Sequence, residues 1–287
     1  MKLSEALQNI EQERQLNTVT IYMPSIKKDV KIKSLTTDDL KTLSRIGVFN
    51  EFDLNNELLK LYLFDKLLLK DEAENQISAD TLTIFDFLSF IISIRKLLDN
   101  DLVFEFTCQQ CETKFYHKLD LEAEFSEFIF SYKPEIKVFE KLDNSNNIWK
   151  FELKSFAMKD YLYYRYYIEK LKEIDINNPD LLNEEKFIRP VLYISKIYKN
   201  DEEIEDWNEQ LFGSKIKFFN SLPAELIINA TANDDEKDED YLSNFIKNNF
   251  SEEKFIKAID DIEVICPNKE CNEVYTGLYT FDDFCTF

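Results

Sequence analysis

Thr107-Cys108-Gln109-Gln110-Cys111-Glu112 and Ile265-Cys266-Pro267-Asn268-Lys269-Glu270-Cys271-Asn272 are the two stretches around which the rest of the chain is read. Each sets a close pair of cysteines between runs of strand character. Residues 102–107 enter the first pair and 115–121 leave it; 262–265 enter the second and 274–281 leave it. Two hairpin tips of this kind, placed face to face, present thiolates in the tetrahedral arrangement that a zinc ribbon needs. Cys108, Cys111, Cys266 and Cys271 are therefore the candidate ligands of one shared structural Zn2+.

The competing readings of these cysteines are plain reduced, buried thiols and a redox pair. Redox C-x-x-C pairs sit at a helix N-terminus, which lowers the thiol pKa, whereas strand residues follow Cys111. Cys285, in Phe284-Cys285-Thr286-Phe287, is a substitute ligand or a small apolar residue in a packed terminal segment. His117, the only histidine, lies on the outgoing strand, where it reads as a surface or half-buried strand residue ahead of a ligand. One histidine provides neither a His-based metal centre nor a Ser-His-Asp arrangement. The acidic pairs Asp38/Asp39 and Asp260/Asp261 fit helix ends better than acid–base catalysis, so the expectation is that the chain is not an enzyme.

Composition narrows the classes further. With 287 residues, 44% of them hydrophobic, and 25 Phe and 14 Tyr, the chain can fill a substantial core. It has 3 Gly, set apart at Gly47, Gly213 and Gly277, which excludes glycine-rich phosphate loops. A net charge of −21 repels phosphate backbones and anionic lipid, making nucleic acid an unfavoured partner and favouring a basic protein face. No apolar signal core precedes residue 17, and the longest apolar run, 84–94, falls short of the about 20 residues a bilayer span requires. The expected setting is the reducing cytosol, with no membrane, where paired cysteines favour metal over disulfide.

Along the chain, residues 1–16 read as a short polar helical lead-in or a frayed terminus. Val19-Thr20-Ile21-Tyr22 and Val30-Lys31-Ile32-Lys33 predict a hairpin, followed by Thr36 as N-cap of a helix that Gly47 stops. Core helices are expected over 53–70 and 80–99, the second running into the first cysteine hairpin. A Phe-rich connecting segment at 121–132 leads to a second hairpin, 136–140 with 149–153, and then to a Tyr-rich helix over 161–174. Helices are predicted at 179–199, kinked at Pro190, at 202–211, ended by Gly213, and at 216–228, interrupted by Pro223. The acidic run 233–240 reads as a solvated loop, and two short helices at 241–250 and 252–261 lead into the second cysteine hairpin.

The fold class expected is α+β, mainly helical with β-hairpins and a zinc-ribbon-like module built from two distant hairpins. Its organisation is 1–18, the lead-in; 19–121, a hairpin-helix half with the first knuckle; 122–260, a second hairpin and helical half; and 261–287, the second knuckle. The parallel of Lys33-Ser34-Leu35-Thr36-Thr37-Asp38-Asp39-Leu40 with Lys154-Ser155-Phe156-Ala157-Met158-Lys159-Asp160-Tyr161 raises the hypothesis of two diverged copies of one plan.

The order of these motifs resembles the T4-type phage baseplate hub proteins and their hub-assembly relatives. The likeness is carried by Met23-Pro24-Ser25, by Ser34 to Leu40, by the helix over 85–98 running into Phe104-Glu105-Phe106-Thr107-Cys108-Gln109-Gln110-Cys111, and by the terminal cysteine hairpin with its Phe-rich end. It implies a non-enzymatic structural or assembly protein of a contractile tail, found in the virion or in the host cytoplasm during assembly, with other baseplate or tail proteins as partners. The cysteines are carried over as zinc ligands. This chain departs from the usual knuckle in having Glu112 and Asn272, not glycine, after the second cysteine of each pair, and in its longer second spacing. Tyr275, Tyr279, Phe284 and Phe287, or the amino-terminal segment, are the expected partner contacts. The alternative is a viral zinc-ribbon protein of nucleic-acid binding or transcription, which needs a basic stripe beside the knuckles.

Overall fold

The computed structural model describes residues 3–45, 52–69, 77–99, 101–174, 188–227 and 241–284. Its organising element is helix α4 (Ile84–Leu98), whose residues from Ile84 to Ile92 are all buried. A helix that is apolar on nearly every side belongs inside a protein core. Its start is set by a capping box: Thr83 accepts from the Asp86 backbone N–H, and the Asp86 carboxylate accepts from the Thr83 N–H at 2.9 Å. The same carboxylate also takes the Ser25 N–H at 3.0 Å. Ser89 Oγ donates to the Tyr22 carbonyl at 2.6 Å, so the polar atoms on this buried helix bind it to the first hairpin.

That hairpin pairs β1 (Thr18–Met23) with β2 (Lys28–Lys33); its Ile21, Met23, Val30 and Ile32 are buried, and β1 packs on α4. Before it comes α1 (Leu3–Leu16), tied down by Arg14, which reaches Asp39 at 3.0 Å. After it comes α2 (Thr37–Leu43), with Thr36 as the expected N-cap and Asp39 completing a capping box with it. Helix α3 (Leu54–Leu67) follows, capped by Asp53, and Lys66 closes on buried Asp39 at 2.6 Å. Past α3 the chain returns beside β2, where Ile32 and Leu68 form an antiparallel bridge. Helix α4 then delivers the chain to β3 (Leu102–Thr107) and β4 (Lys114–Leu119), the first cysteine hairpin.

Residues Leu121–Ser131 form a helix, α5, where a connecting segment was expected. Asp120 accepts from the N–H groups of Glu122 and Ala123, and Phe125 and Ile129, one turn apart, are buried. Cap and i,i+4 spacing were both present in the sequence and outweigh the aromatic content.

The second hairpin, β5 (Ile136–Leu142) with β6 (Ile148–Lys154), forms as expected, but it belongs to a four-stranded sheet in the order β5-β6-β7-β8. Helix α6 (Met158–Ile174) separates it from β7 (Ile194–Lys199) and β8 (Glu202–Glu203). Of the helices predicted at 179–199 and 202–211, residues 179–187 lie outside the described residues and the remainder folds differently. Arg189–Leu192 is a 3-10 turn with Pro190 in its first turn, Ile194–Lys199 is a strand, and Trp207–Glu209 is a second 3-10 turn. The apolar residues of this stretch satisfy either period. What decides is the open edge of β6, which β7 fills while burying Ile194 and Ile197. Gly213 does not end a helix but lies at the start of α7 (Phe212–Phe219), and Pro223 separates α7 from α8 (Ala224–Ile227). Gly47 and the acidic run 233–240 lie outside the described residues.

Helices α9 (Leu242–Asn249) and α10 (Ser251–Asp260) lead, as expected, into the second cysteine hairpin, β9 (Val264–Ile265) with β10 (Val274–Tyr275). Its outgoing strand is shorter than the run 274–281 implied, and the last described element is helix α11 (Phe281–Phe284). The architecture is α+β, as the sequence reading had it. One continuous hydrophobic cluster includes α4, α6, the four-stranded sheet and α11. The two halves also touch through the Met158 N–H, which donates to the Leu82 carbonyl at 2.6 Å. The first half runs hairpin, two helices, an antiparallel return beside β2, then helix, cysteine hairpin and helix; the second has the single helix α6 before its return strand β7 and further elements between β7 and α10.

Candidate metal centre

Each cysteine pair is shaped by its hairpin before any metal enters. In the first knuckle the Cys108 N–H donates to the Thr113 carbonyl and the Glu112 N–H to the Cys108 carbonyl, both at 2.9 Å. In the second, the Cys266 N–H donates to the Glu273 carbonyl, and the N–H groups of Cys271 and Asn272 converge on the Asn268 carbonyl, all at 2.9 Å. Both turns close through a left-handed residue just after the second cysteine, Glu112 at φ 57° and Asn272 at φ 50°. Glycine's usual place is thus filled by side chains. Asn tolerates this region by local hydrogen bonding; Glu accepts a steric cost.

The knuckles meet. Cys108 Sγ lies 3.6 Å from Cys271 Sγ, and Cys111 Sγ lies 3.6 Å from Cys266 Sγ, across 163 and 155 residues of chain. All four sulfurs fall within 4.8 Å of one another. Sulfurs about 2.3 Å from a central ion mark a tetrahedron with edges of about 3.8 Å, which is the scale of this cluster. The four expected ligands are therefore together and can hold a metal ion. Cys108 and Cys266 are buried and Cys111 and Cys271 half-buried.

Second-layer groups steer the sulfurs. The Gln109 N–H donates to Tyr275 Oη at 3.0 Å, and that hydroxyl faces Cys108 Sγ at 3.1 Å. Tyr275 belongs to the second knuckle and Cys108 to the first, so this contact joins the two tips independently of an ion. It also holds the Cys108 thiol below its ordinary value. Cys111 Sγ lies 3.2 Å from Thr113 Oγ1, and the Thr113 hydroxyl and backbone bring Cys111 down to about 6. The other two thiols move the opposite way. Burial pushes Cys266 up; at Cys271 a backbone bond from Glu273 favours the thiolate, but burial and neighbouring Cys108 and Cys111 outweigh it and push the thiol up to about 12. Four thiolates this close repel one another, and a thiophilic dication at their centre converts that repulsion into coordination.

His117 is not part of this group. Its Nδ1 meets the Tyr279 hydroxyl, behind the knuckles, where Tyr279 also packs on Phe104 and Phe106. Cys285 and Phe287 lie outside the described residues. The aromatics expected as exposed partner contacts are placed differently. Tyr279 and Phe284 are buried, because Tyr279 packs against Phe104 and Phe106 of β3 and the Phe284 ring lies tilted against Phe125 at 5.4 Å. Tyr275 is engaged with Cys108. The sequence reading missed Thr113 and gave Tyr275 a different role; its position on the outgoing strand just past Cys271 was the available signal.

These features define an α+β protein with a closed four-cysteine centre formed by two distant hairpins. No family model, curated protein or solved structure matches the chain. Among the described residues, no helix is long and apolar enough to cross a membrane.

Proposed function

We propose that this chain is a structural or assembly protein of a contractile phage tail baseplate hub, with one structural Zn2+ in its cysteine centre and other baseplate or tail proteins as partners. The observation that carries the zinc part is the convergence of Cys108, Cys111, Cys266 and Cys271 from hairpins far apart in the chain. Zinc suits an all-thiolate tetrahedral set, and in such sets it leaves no open position for chemistry. Its binding energy is then folding energy that joins two hairpins 155 to 163 residues apart in the chain. The hub part rests on the sequence resemblance. A non-enzymatic role and a place in the virion, or in the host cytoplasm during assembly, follow from that reading.

The outward residues of the two knuckle hairpins supply the contact surface in this reading. Val103, Tyr116, Ile265 and Val274 are all exposed, Tyr116 at 72%. Apolar and aromatic residues at a fixed spacing are what a protein partner buries. Net charge of −21 works against the nucleic-acid alternative.

The experiment is metal analysis of the purified chain together with mass spectrometry of tail particles and infected-cell lysate. One zinc per chain and co-purification with hub proteins support the proposal. A chain that excludes zinc removes the metal part; salt-sensitive DNA binding without hub association removes the assembly part.

A further inference from the structure

Away from the cysteines, a cavity of about 280 Å3 opens where the N-terminus of α10 faces the end of α5 and the start of β5. Glu252 and Tyr132 line it and are 1% and 2% exposed. Both carboxylate oxygens of Glu252 and the Tyr132 hydroxyl are buried with no hydrogen-bond partner. Burial pushes the Glu252 carboxyl up to about 6, against the opposing influence of the Ser155 hydroxyl, its own backbone N–H and Tyr132, none of which makes a hydrogen bond of full geometry to it. Native proteins rarely leave buried polar atoms in this state, and a bound group is one way to satisfy them.

The rest of the cavity has the opposite character. Lys133, Lys137 and Lys254 contribute to its lining, in a chain of strongly negative charge. Lys137 is paired with Glu135 at 2.6 Å, while Lys133 and Lys254 are exposed and form no ion pair among the described residues. Phe250, the N-cap of the ten-residue helix α10, provides no side-chain cap, and Phe250 and Ser251 both line the cavity. An uncapped first turn with nearby ammonium groups favours an anion. A buried, unpartnered carboxylate favours a positively charged N–H donor. One compact ligand meets both demands only if it carries both charges.

We propose that this cavity binds a small zwitterion of the α-amino-acid class, its ammonium on Glu252 and Tyr132 and its carboxylate toward Lys133, Lys254 and the first turn of α10. This site is independent of the cysteine centre and of the hub reading.

The test is calorimetric titration of the full chain at neutral pH with glycine, L-alanine and L-serine, beside acetate and methylammonium as the two half-ligands. At least one amino acid should bind about tenfold or more tighter than either half-ligand. Glu252→Gln should abolish the advantage over acetate, and Lys254→Ala should weaken amino acid and acetate alike. Without ligand, Glu252→Gln should raise the thermal midpoint, because it removes an unpaired buried charge; a lowered midpoint means the carboxylate is satisfied within the protein and overturns the proposal. Absence of amino-acid binding, or acetate binding as tightly as glycine, overturns it as well.

Discussion

Arg95 on α4 donates through Nε and Nη2 to the backbone carbonyl of Phe284, 189 residues later, at 3.3 and 3.2 Å. The contact is buried, with Arg95 only 6% exposed. It fastens the last described helix to the central one, directly beside the packing of Phe281 on Phe87 and of Phe284 on Phe125. The second cysteine knuckle is held between this contact and α10.

Arg95→Met keeps the bulk of the side chain and removes the donors, leaving a buried carbonyl unsatisfied. The expected cost is about 1–3 kcal/mol. It should appear in urea unfolding as a lowered midpoint at unchanged slope. A variant as stable as the parent would show that this fastening contributes nothing.

Phe85 meets Tyr132 at 4.7 Å and Phe255 at 5.4 Å between ring centroids, linking α4, α5 and α10. Phe85→Ala opens a cavity in fully buried surroundings and should cost about 3–5 kcal/mol. Phe130, 67% exposed on α5, is the control: Phe130→Ala should cost under about 1 kcal/mol. Equal losses at both positions would contradict the placement of the core.

Glu112 holds a left-handed backbone that an L side chain adopts at a cost. Glu112→Gly should stabilise the first knuckle by about 0.5–1 kcal/mol, after the greater entropy of glycine in the unfolded chain is subtracted. The readout is the chelator concentration needed to strip the metal, which should rise. Asn272→Gly should change it less, because Asn already tolerates the region.

Removal of metal should loosen the knuckles before the core. Cys266→Ser should lose stoichiometric zinc, and the N–H groups of Cys108, Cys266 and Cys271 should exchange faster with deuterium while α4 stays protected. With free zinc a thousandfold above its Kd, binding contributes about 4 kcal/mol of stability that the variant lacks. Unchanged exchange at both hairpins would sink the metal assignment.

Asp143 governs a local acid response. Asn147 Nδ2 and Trp149 Nε1 donate to its carboxylate at 2.9 and 3.0 Å, and the backbone of Asn147 and Ser145 adds to them, bringing it down to about 2. Its folded value lies below its unfolded one, so its contribution is complete above about pH 4 and is lost as pH falls toward 2. Urea unfolding of the parent and of Asp143→Asn should converge in stability over that window. A gap that stays constant from pH 5 to pH 2 would refute the assignment.

The knuckle residues could be read from the chain because cysteine spacing and flanking strand character are local. The same holds for Thr36 and the two hairpins, where side chain and backbone lie within a few residues of one another. Reading failed at 188–211, where apolar residues fit a helix or a strand and the unpaired edge of β6 made the choice. It failed differently at 121–132: Asp120 and the Phe125/Ile129 spacing were there, but aromatic content masked them.

By itself, the amino-acid order determined that this protein has two cysteine-tipped hairpins, a buried apolar helix before the first of them, and no glycine loop for phosphate. Only the tertiary structure decided that the tips meet, that Tyr275 of one steadies Cys108 of the other, and that Tyr279 and Phe284 turn inward. The reason is range. Turns, caps and periodicity act over a few residues, whereas the juxtaposition of Cys108 with Cys271 depends on how the intervening helices and strands bury their apolar faces in one core.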